Sequence, residues 1–416
     1  MYACRDLVAG GGARGVPRRH ARTRDETEMT SGVRATECVS RRYIFHVSLA
    51  PRRLHLMRSS AAQCRSGAPT PITMLSLRDL GAAIVTAAGC GAWWGVGKFS
   101  AWLSASTPAS LAGVTLARWQ WVNVAAFAVN VVSVAIPGRI DDEMATQMKK
   151  EAKIRKSPRS SASGVPKDSI YRSLVTPAGW AFLIWPVIYL AESVFTAVQA
   201  SSSQDQISAA AYASAAPWWA LSCTLQALWC VAFRDWAKAP GHFWISGSLL
   251  VAESVSLGKA VAAMDAAKVA FPSAAYLCGR LPLALHHGWI TAAAVVNVNS
   301  WIAVSETYPS RMSNAEFQAR SAFISHAAAA FVGCRVSWSS RDPTFAAVIA
   351  WALYAIAADG GWRKRNIVER FGEKPLRDIA DNALFYARAM ATLCVCLAVK
   401  PTVDPYLPDA MALFNR

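Results

Sequence analysis

From residue 122 onward the chain alternates long apolar runs with short polar, proline- or glycine-containing punctuation. Seven runs are predicted as helices: Val122–Pro137, Thr176–Val198, Trp218–Phe233, Phe243–Met264, Leu281–Val304, Ser321–Val336 and Thr344–Ala358. Each approaches the roughly 20 apolar residues that cross a bilayer as an α-helix, and each is bounded by turn or breaker signals. Two flanking runs are left open. Leu80–Gly97 is apolar over about the minimum spanning length, but it is rich in Gly and Ala and flanked by Arg78, Asp79 and Lys98. A true span and a processed or interfacial segment fit it equally well. Asn382–Val399 is amphipathic and contains Arg388, which suits an eighth span or a helix lying on the surface. Strands of a membrane barrel alternate over about 10 residues, whereas these runs are continuous and longer, and no fixed-period repeat is present. The predicted fold class is all-α, a polytopic transmembrane helix bundle of about seven helices, or eight to nine if the flanking runs also cross.

Composition sharpens that reading. Hydrophobic residues make up 54% of the chain and charged residues 17%, where a soluble domain carries about 25% charge. The charges crowd into residues 1–75, 139–172, 305–320 and 360–382, leaving the apolar runs between them. A net charge of +17 could signal nucleic-acid binding, but the basic residues sit in tails and connections and form no aromatic-interleaved patch. Topology accounts for them better, because Lys and Arg accumulate in alternate loops of membrane proteins. The connection after the first run carries Lys149, Lys150, Lys153, Arg155, Lys156, Arg159 and Lys167, while Ala200–Pro217 has no Lys or Arg. Arg234 and Lys238 make the next loop basic, the following one holds only Lys268 and Arg280 against Asp265, and Arg363, Lys364, Arg365 and Arg370 end the alternation. Arg280, Arg335 and Arg341 fall on the side that should be poor in positive charge.

Residues 1–75 contain thirteen Arg, no Lys and five acidic residues, with many Ser, Thr, Ala and Gly. This is the composition of an organellar transit peptide, for a plastid or mitochondrial membrane; a disordered basic extension without targeting function is the plainer account. The expected organisation is this disordered basic region at 1–75, an ambiguous apolar segment at 76–117, a helical membrane domain at 118–360 and a C-terminal extension at 361–416.

The chemistry concentrates in Thr176-Pro177-Ala178-Gly179-Trp180-Ala181-Phe182-Leu183-Ile184-Trp185-Pro186-Val187-Ile188-Tyr189-Leu190. Pro177 suits a first helical turn, and Pro186, lacking an N–H, is expected to kink the helix. Phe182, Trp185 and Tyr189 follow three- and four-residue spacing and share a face. Such a stripe serves as an aromatic belt or packing surface, or it lines a pocket in which flat rings meet a planar ligand and the indole N–H and phenol supply polar handles.

The P-x-x-W-x-F-x-x-W-x-x-x-Y run resembles the aromatic signature of the TspO/MBR family, the tryptophan-rich sensory and translocator proteins. Gln226-Ala227-Leu228-Trp229 with Phe233 is similar to the family's N-x-x-W-x-x-x-F helix, with Gln226 where Asn is usual. Trp289, Ala293 and Asn297 resemble its W-x-x-x-A-x-x-x-N helix and fall on one face, a small residue beside a polar one. The family's Pro-Tyr-Leu before that Trp is replaced by Pro282-Leu283-Ala284. The resemblance covers about Val122 to Ala358. It implies a TspO/MBR-like core binding a hydrophobic or planar ligand, a porphyrin, haem or other tetrapyrrole or a sterol-like lipid, as sensor, carrier or scavenger. It implies Trp180, Phe182, Trp185, Tyr189, Trp229, Trp289 and Asn297 as ligand-binding residues, with Pro177, Pro186 and Ala293 in structural roles. No resident cofactor is required.

Ionisable residues inside spans are costly and invite a functional reading; Glu192, Glu253, Lys259, His286, His287 and His326 qualify. Glu253 and Lys259 fit snorkelling or local pairing as well, and His286 and His287 fit interface histidines or haem ligands. A rival function is a secondary transporter with a relay through Glu192, Glu253 and Lys259, and another is a structural subunit of a membrane complex. No phosphate-binding loop, HExxH or G-x-S-x-G elbow is present, so no enzyme is predicted. Cysteine spacing suggests neither a metal site nor a disulfide framework. The expected partners are the lipid bilayer and a small hydrophobic ligand, with no nucleic acid; small-residue faces permit a homodimer without requiring one.

Overall fold

The computed structural model describes residues 77–104, 109–111, 114–140, 173–201, 207–238, 241–266, 273–305, 315–359, 361–363 and 365–403. The arginine-rich region 1–75 and the loop carrying Lys149 to Lys167 lie outside them. The helices are α1 (Leu77–Ser104), α2 (Arg118–Ala135), α3 (Ile184–Ser201), α4 (Ile207–Ala232) and α5 (Trp244–Ala266). They continue with α6 (Leu281–Ser305), α7 (Ala315–Ser340), α8 (Pro343–Asp359), the short α9 (Arg365–Phe371) and α10 (Glu373–Val403). A 3-10 turn, Gly179–Leu183, leads into α3, and a π-helical turn, Tyr276–Arg280, leads into α6. Two three-residue strands, β1 (Ala109–Leu111) and β2 (Val114–Leu116), pair antiparallel between α1 and α2.

Among the described residues, five helical stretches are long and apolar enough to cross a membrane: Leu77–Ser104, Gly179–Ser201, Trp244–Ala266, Tyr276–Ser305 and Glu373–Val399. Both flanking runs left open by the sequence are therefore helices of spanning length. Large apolar side chains face outward, with Trp94 85% exposed, Phe331 and Trp338 72% and Leu190 69%, while Glu192, Glu253, His286, Asn130 and Gln226 are buried. In water that distribution would be an aggregation liability; in lipid it is the ordinary arrangement.

Helix α4 sits at the centre, packed on α1, α2 and α5, and α5 in turn packs on α6. Its buried Ala209, Ala211, Ala215 and Ala216 allow close approach. This packing carries the helix back to Ile207, so Pro217, expected to mark its start, lies inside it. Polar side chains too costly for lipid are paired between helices. Asn130 Nδ2 donates to Gln226 Oε1 at 2.7 Å, and Gln226 Nε2 donates to the Tyr189 hydroxyl at 3.3 Å. The Gln at the position where the family pattern has Asn thus ties α2, α4 and α3 together. A second core joins α7, α8 and α10 through Ala329, Phe345, Ile349, Ala387 and Met390.

Two prolines behave differently from expectation. Pro177 precedes the 3-10 turn, and Pro186 falls in the first turn of α3, directly after the change from 3-10 to α geometry. A missing N–H costs least there, so Pro186 sets a junction instead of kinking a helix interior. Arg280 also departs from the simple charge parity. It is buried between Asp265, at the end of α5, and Asp342, just before α8. Its charge is cancelled locally and says nothing about sidedness. Asp342 Oδ1 also accepts the Thr344 N–H at 2.7 Å and the Tyr276 hydroxyl at 3.0 Å, capping α8 where Pro343 begins it.

Candidate functional site

A cavity of about 110 Å³ lies between the 3-10 turn, α3, α4, α6, α7 and α8. The turn is clamped to α8 by two hydrogen bonds, Ala178 N–H to the Ala355 carbonyl at 2.9 Å and Trp351 Nε1–H to the Ala181 carbonyl at 3.1 Å. That clamp directs Phe182 and Trp185 at Trp289 of α6. Phe182 meets Trp289 edge-to-face with ring centroids 5.6 Å apart, and Trp185 does so at 6.1 Å, both favoured geometries for aromatic pairs. Trp229, Phe233, Ala293, Asn297, Ile349 and Leu353 complete most of the wall. Phe182, one of the wall residues, is 43% exposed and so stands at the bundle surface.

The polar groups around this wall fall into two kinds. Asn297 is engaged at both ends of its amide: its Oδ1 accepts from Ser246 Oγ at 2.5 Å and from Trp229 Nε1 at 3.4 Å, and its Nδ2 donates to the Ala293 carbonyl at 3.0 Å. It therefore fixes Trp229 across three helices. Trp289 Nε1 and His326 Nε2, by contrast, are buried without a hydrogen-bond partner. His326 Nδ1 lies 3.0 Å from Asn382 Oδ1 of α10, an acceptor, which leaves Nε2 as the free lone pair of a neutral ring. Among the cavity residues these two are the buried polar atoms left without a partner.

Of the seven residues singled out in the sequence as ligand-binding, Phe182, Trp185, Trp229, Trp289 and Asn297 line the cavity. Tyr189 stands behind, stacked on Trp185 at 5.5 Å, and Trp180 turns away to pack edge-on against Trp351 at 4.7 Å. Pro177 and Ala293, assigned structural roles, are also in the wall. His286 and His287 are not. His287 packs against Phe345 with ring centroids 4.6 Å apart. The cavity histidine is His326, flagged in the sequence as an ionisable residue inside an apolar run, a signal that carries no direction.

Beside Trp185 the structure brings together residues that the sequence could mark only one at a time. Glu192 (α3), Glu253 (α5) and His286 (α6) converge, all with side chains 0% exposed. His286 Nδ1 is 2.7 Å from Glu192 Oε1, which also accepts Trp219 Nε1–H at 3.3 Å. On the opposite edge of the ring, Nε2 is 3.5 Å from Glu253 Oε1. Lys259, the third member of the relay considered from sequence, is exposed on α5 and lies outside this cluster.

A bundle of apolar helices with polar residues folded inward and a tryptophan-walled cavity defines a multi-pass α-helical membrane protein. The family model described as TSPO-like protein matches residues 161–370, and the chain belongs to that family. The match takes in α3 to α9 and the whole cavity wall, but it begins after α2, later than the Val122 boundary drawn from sequence, and it ends before α10. No curated protein and no solved structure matches the chain.

Proposed function

We propose that this TSPO-like chain binds a flat hydrophobic ligand, a tetrapyrrole or a sterol-like lipid, admitted from the membrane past Phe182, and acts as sensor, carrier or scavenger and not as an enzyme. The observation that carries the reading is the cavity bounded by Trp185, Trp229 and Trp289, with the unpartnered Trp289 N–H and His326 Nε2 among its residues. Buried polar groups are ordinarily satisfied, so the orphaned pair is what a ligand carrying both an acceptor and a donor would complete. The volume limits the mode. About 110 Å³ is below the roughly 300–1,000 Å³ of sites that enclose a drug-sized molecule. One ring or ring edge fits inside, with the remainder extending past Phe182 into lipid. The arginine-rich region 1–75 supports placement in a plastid or mitochondrial membrane.

The test is a titration of the full chain in lipid nanodiscs with protoporphyrin IX and, separately, a fluorescent sterol, followed by quenching of tryptophan emission. Trp289→Ala should weaken binding about tenfold, the scale of one lost aromatic contact plus its buried area, while Trp180→Ala should leave it near wild type. Equal quenching by wild type and both variants would overturn the site.

A further inference from the structure

Glu192 and Glu253 lie near the middles of Gly179–Ser201 and Trp244–Ala266, and His286 lies within Tyr276–Ser305, three of the stretches long and apolar enough to span. Ionisable groups at that depth are expensive and mark ion or proton paths. Their hydrogen bonding is uneven. Glu192 Oε1 lies 2.7 Å from His286 Nδ1 and accepts from Trp219 Nε1 at 3.3 Å, an arrangement suited to an acceptor oxygen between two ring nitrogens. Glu253 has no hydrogen-bond partner on either oxygen, and His286 Nε2 has none either.

Other titratable groups near the cluster are Tyr189 on α3, Cys223 and Cys230 on α4 and His287 on α6. α2 presents the neutral Asn130 to Cys223. No Lys or Arg pairs with the cluster among the described residues: Lys259 is exposed and Arg280 is held by Asp265 and Asp342. Charge must therefore be balanced internally. With both carboxylates ionised the cluster would carry uncompensated negative charge in the bundle interior, so a proton is held among these three side chains, and Glu253, with no hydrogen bond to steady its charged form, is the place for it. Among the described residues no group of His, Cys, Asp and Glu is placed to hold a metal ion; in this cluster Glu192 Oε1 is taken up by contacts with two ring nitrogens, and two carboxylates against one imidazole point to protons.

We propose that Glu192, His286 and Glu253 form an intramembrane proton-binding site, with Glu253 as the exchanging group, linked to occupancy of the tryptophan cavity through Trp185. The link is a shared wall. The Trp185 indole meets His286 edge-on at 5.8 Å and Trp289 at 6.1 Å, and it lines the cavity itself. A unit change of charge behind this ring alters its orientation and field, and by reciprocity a ligand against it shifts the proton. The proton site stands on its own geometry; the link rests on the ligand-binding reading above.

The test uses the full chain in lipid nanodiscs. Infrared spectra of ligand-free protein should show a protonated-carboxyl band that exchanges slowly in heavy water, is lost in Glu253→Gln and is unchanged in Glu316→Gln. His286→Gln should shift the band, which keeps the test open should Glu253→Gln misfold. Protoporphyrin IX affinity should vary with pH, approaching tenfold per unit where one proton is exchanged, and become flat in Glu253→Gln. Absence of the band, or zinc co-purifying with wild type and lost in Glu253→Gln, would overturn the proton site. A band that behaves as expected with no porphyrin binding at any pH would defeat the ligand reading and leave the proton site intact. A band with pH-independent binding would overturn the link.

Discussion

Gly288, one residue before Trp289, lies where α6 crosses α8. A Cβ there would stand 2.8 Å from Val348 Cβ and 3.0 Å from its Cγ1, against about 3.5–4.0 Å for carbons in contact. Gly288→Ala must push the two helices apart by about 0.7–1.2 Å on that arithmetic. Overpacking of this kind costs about 1–3 kcal/mol, offset by up to ~1 kcal/mol from the better helix propensity of Ala. The single variant should therefore be destabilised by about 0–2 kcal/mol. The informative quantity is the coupling with Val348→Gly, which removes the three nearest atoms. In that background Gly288→Ala should be neutral or stabilising, giving an interaction energy of about 1–3 kcal/mol. Reversible unfolding in mixed micelles of a mild detergent and dodecyl sulfate, followed by helical circular dichroism, reads all four corners of the cycle. An equal penalty for Gly288→Ala with and without the Val348 side chain would refute the close approach, and with it the placement of Trp289 against α8.

Two further outcomes are expected. Asp342→Ala should cost about 3–5 kcal/mol in the same unfolding assay, because it removes one of the two carboxylates paired with buried Arg280 and also uncaps α8; Asp342→Asn, which keeps the capping oxygen, should cost measurably less. A double-mutant cycle of Asn130→Leu and Gln226→Leu should yield a coupling of about 0.6–1.7 kcal/mol, the range of interhelical hydrogen bonds in membranes, and a value of zero would remove that bond from the account of why α2 stays attached to α4.

The apolar runs disclosed the helices because hydropathy is a local property, and the W-x-x-x-A-x-x-x-N spacing placed Trp289, Ala293 and Asn297 on one face because helical geometry is local too. What could not be read was rotation and register between helices. Glu192, Glu253 and His286 each stood out as ionisable residues in apolar runs, yet their convergence depends on how α3, α5 and α6 turn toward one another, a fact carried by packing and not by any spacing along the chain. The same holds for Trp180. It shares the aromatic signature with Phe182 and Trp185, but the 3-10 turn Gly179–Leu183 changes the angle per residue and sends its ring to Trp351. Pro217 misled for a related reason, since a breaker signal gives way when a run of buried alanines packs the helix on both sides of it.

The C-terminal helix α10 lies beyond residue 370, where the family match stops, yet Asn382 orients the ring of His326 and Met390 sits over Gly333. One hinge of the cavity's polarity is thus supplied by a stretch that the shared family pattern does not describe. Without the Asn382 oxygen beside Nδ1 nothing on α10 would hold the proton on that nitrogen, and the imidazole would be free to swap its lone pair or turn aside. The polarity of the wall thus depends on the tail as well as on the aromatic signature.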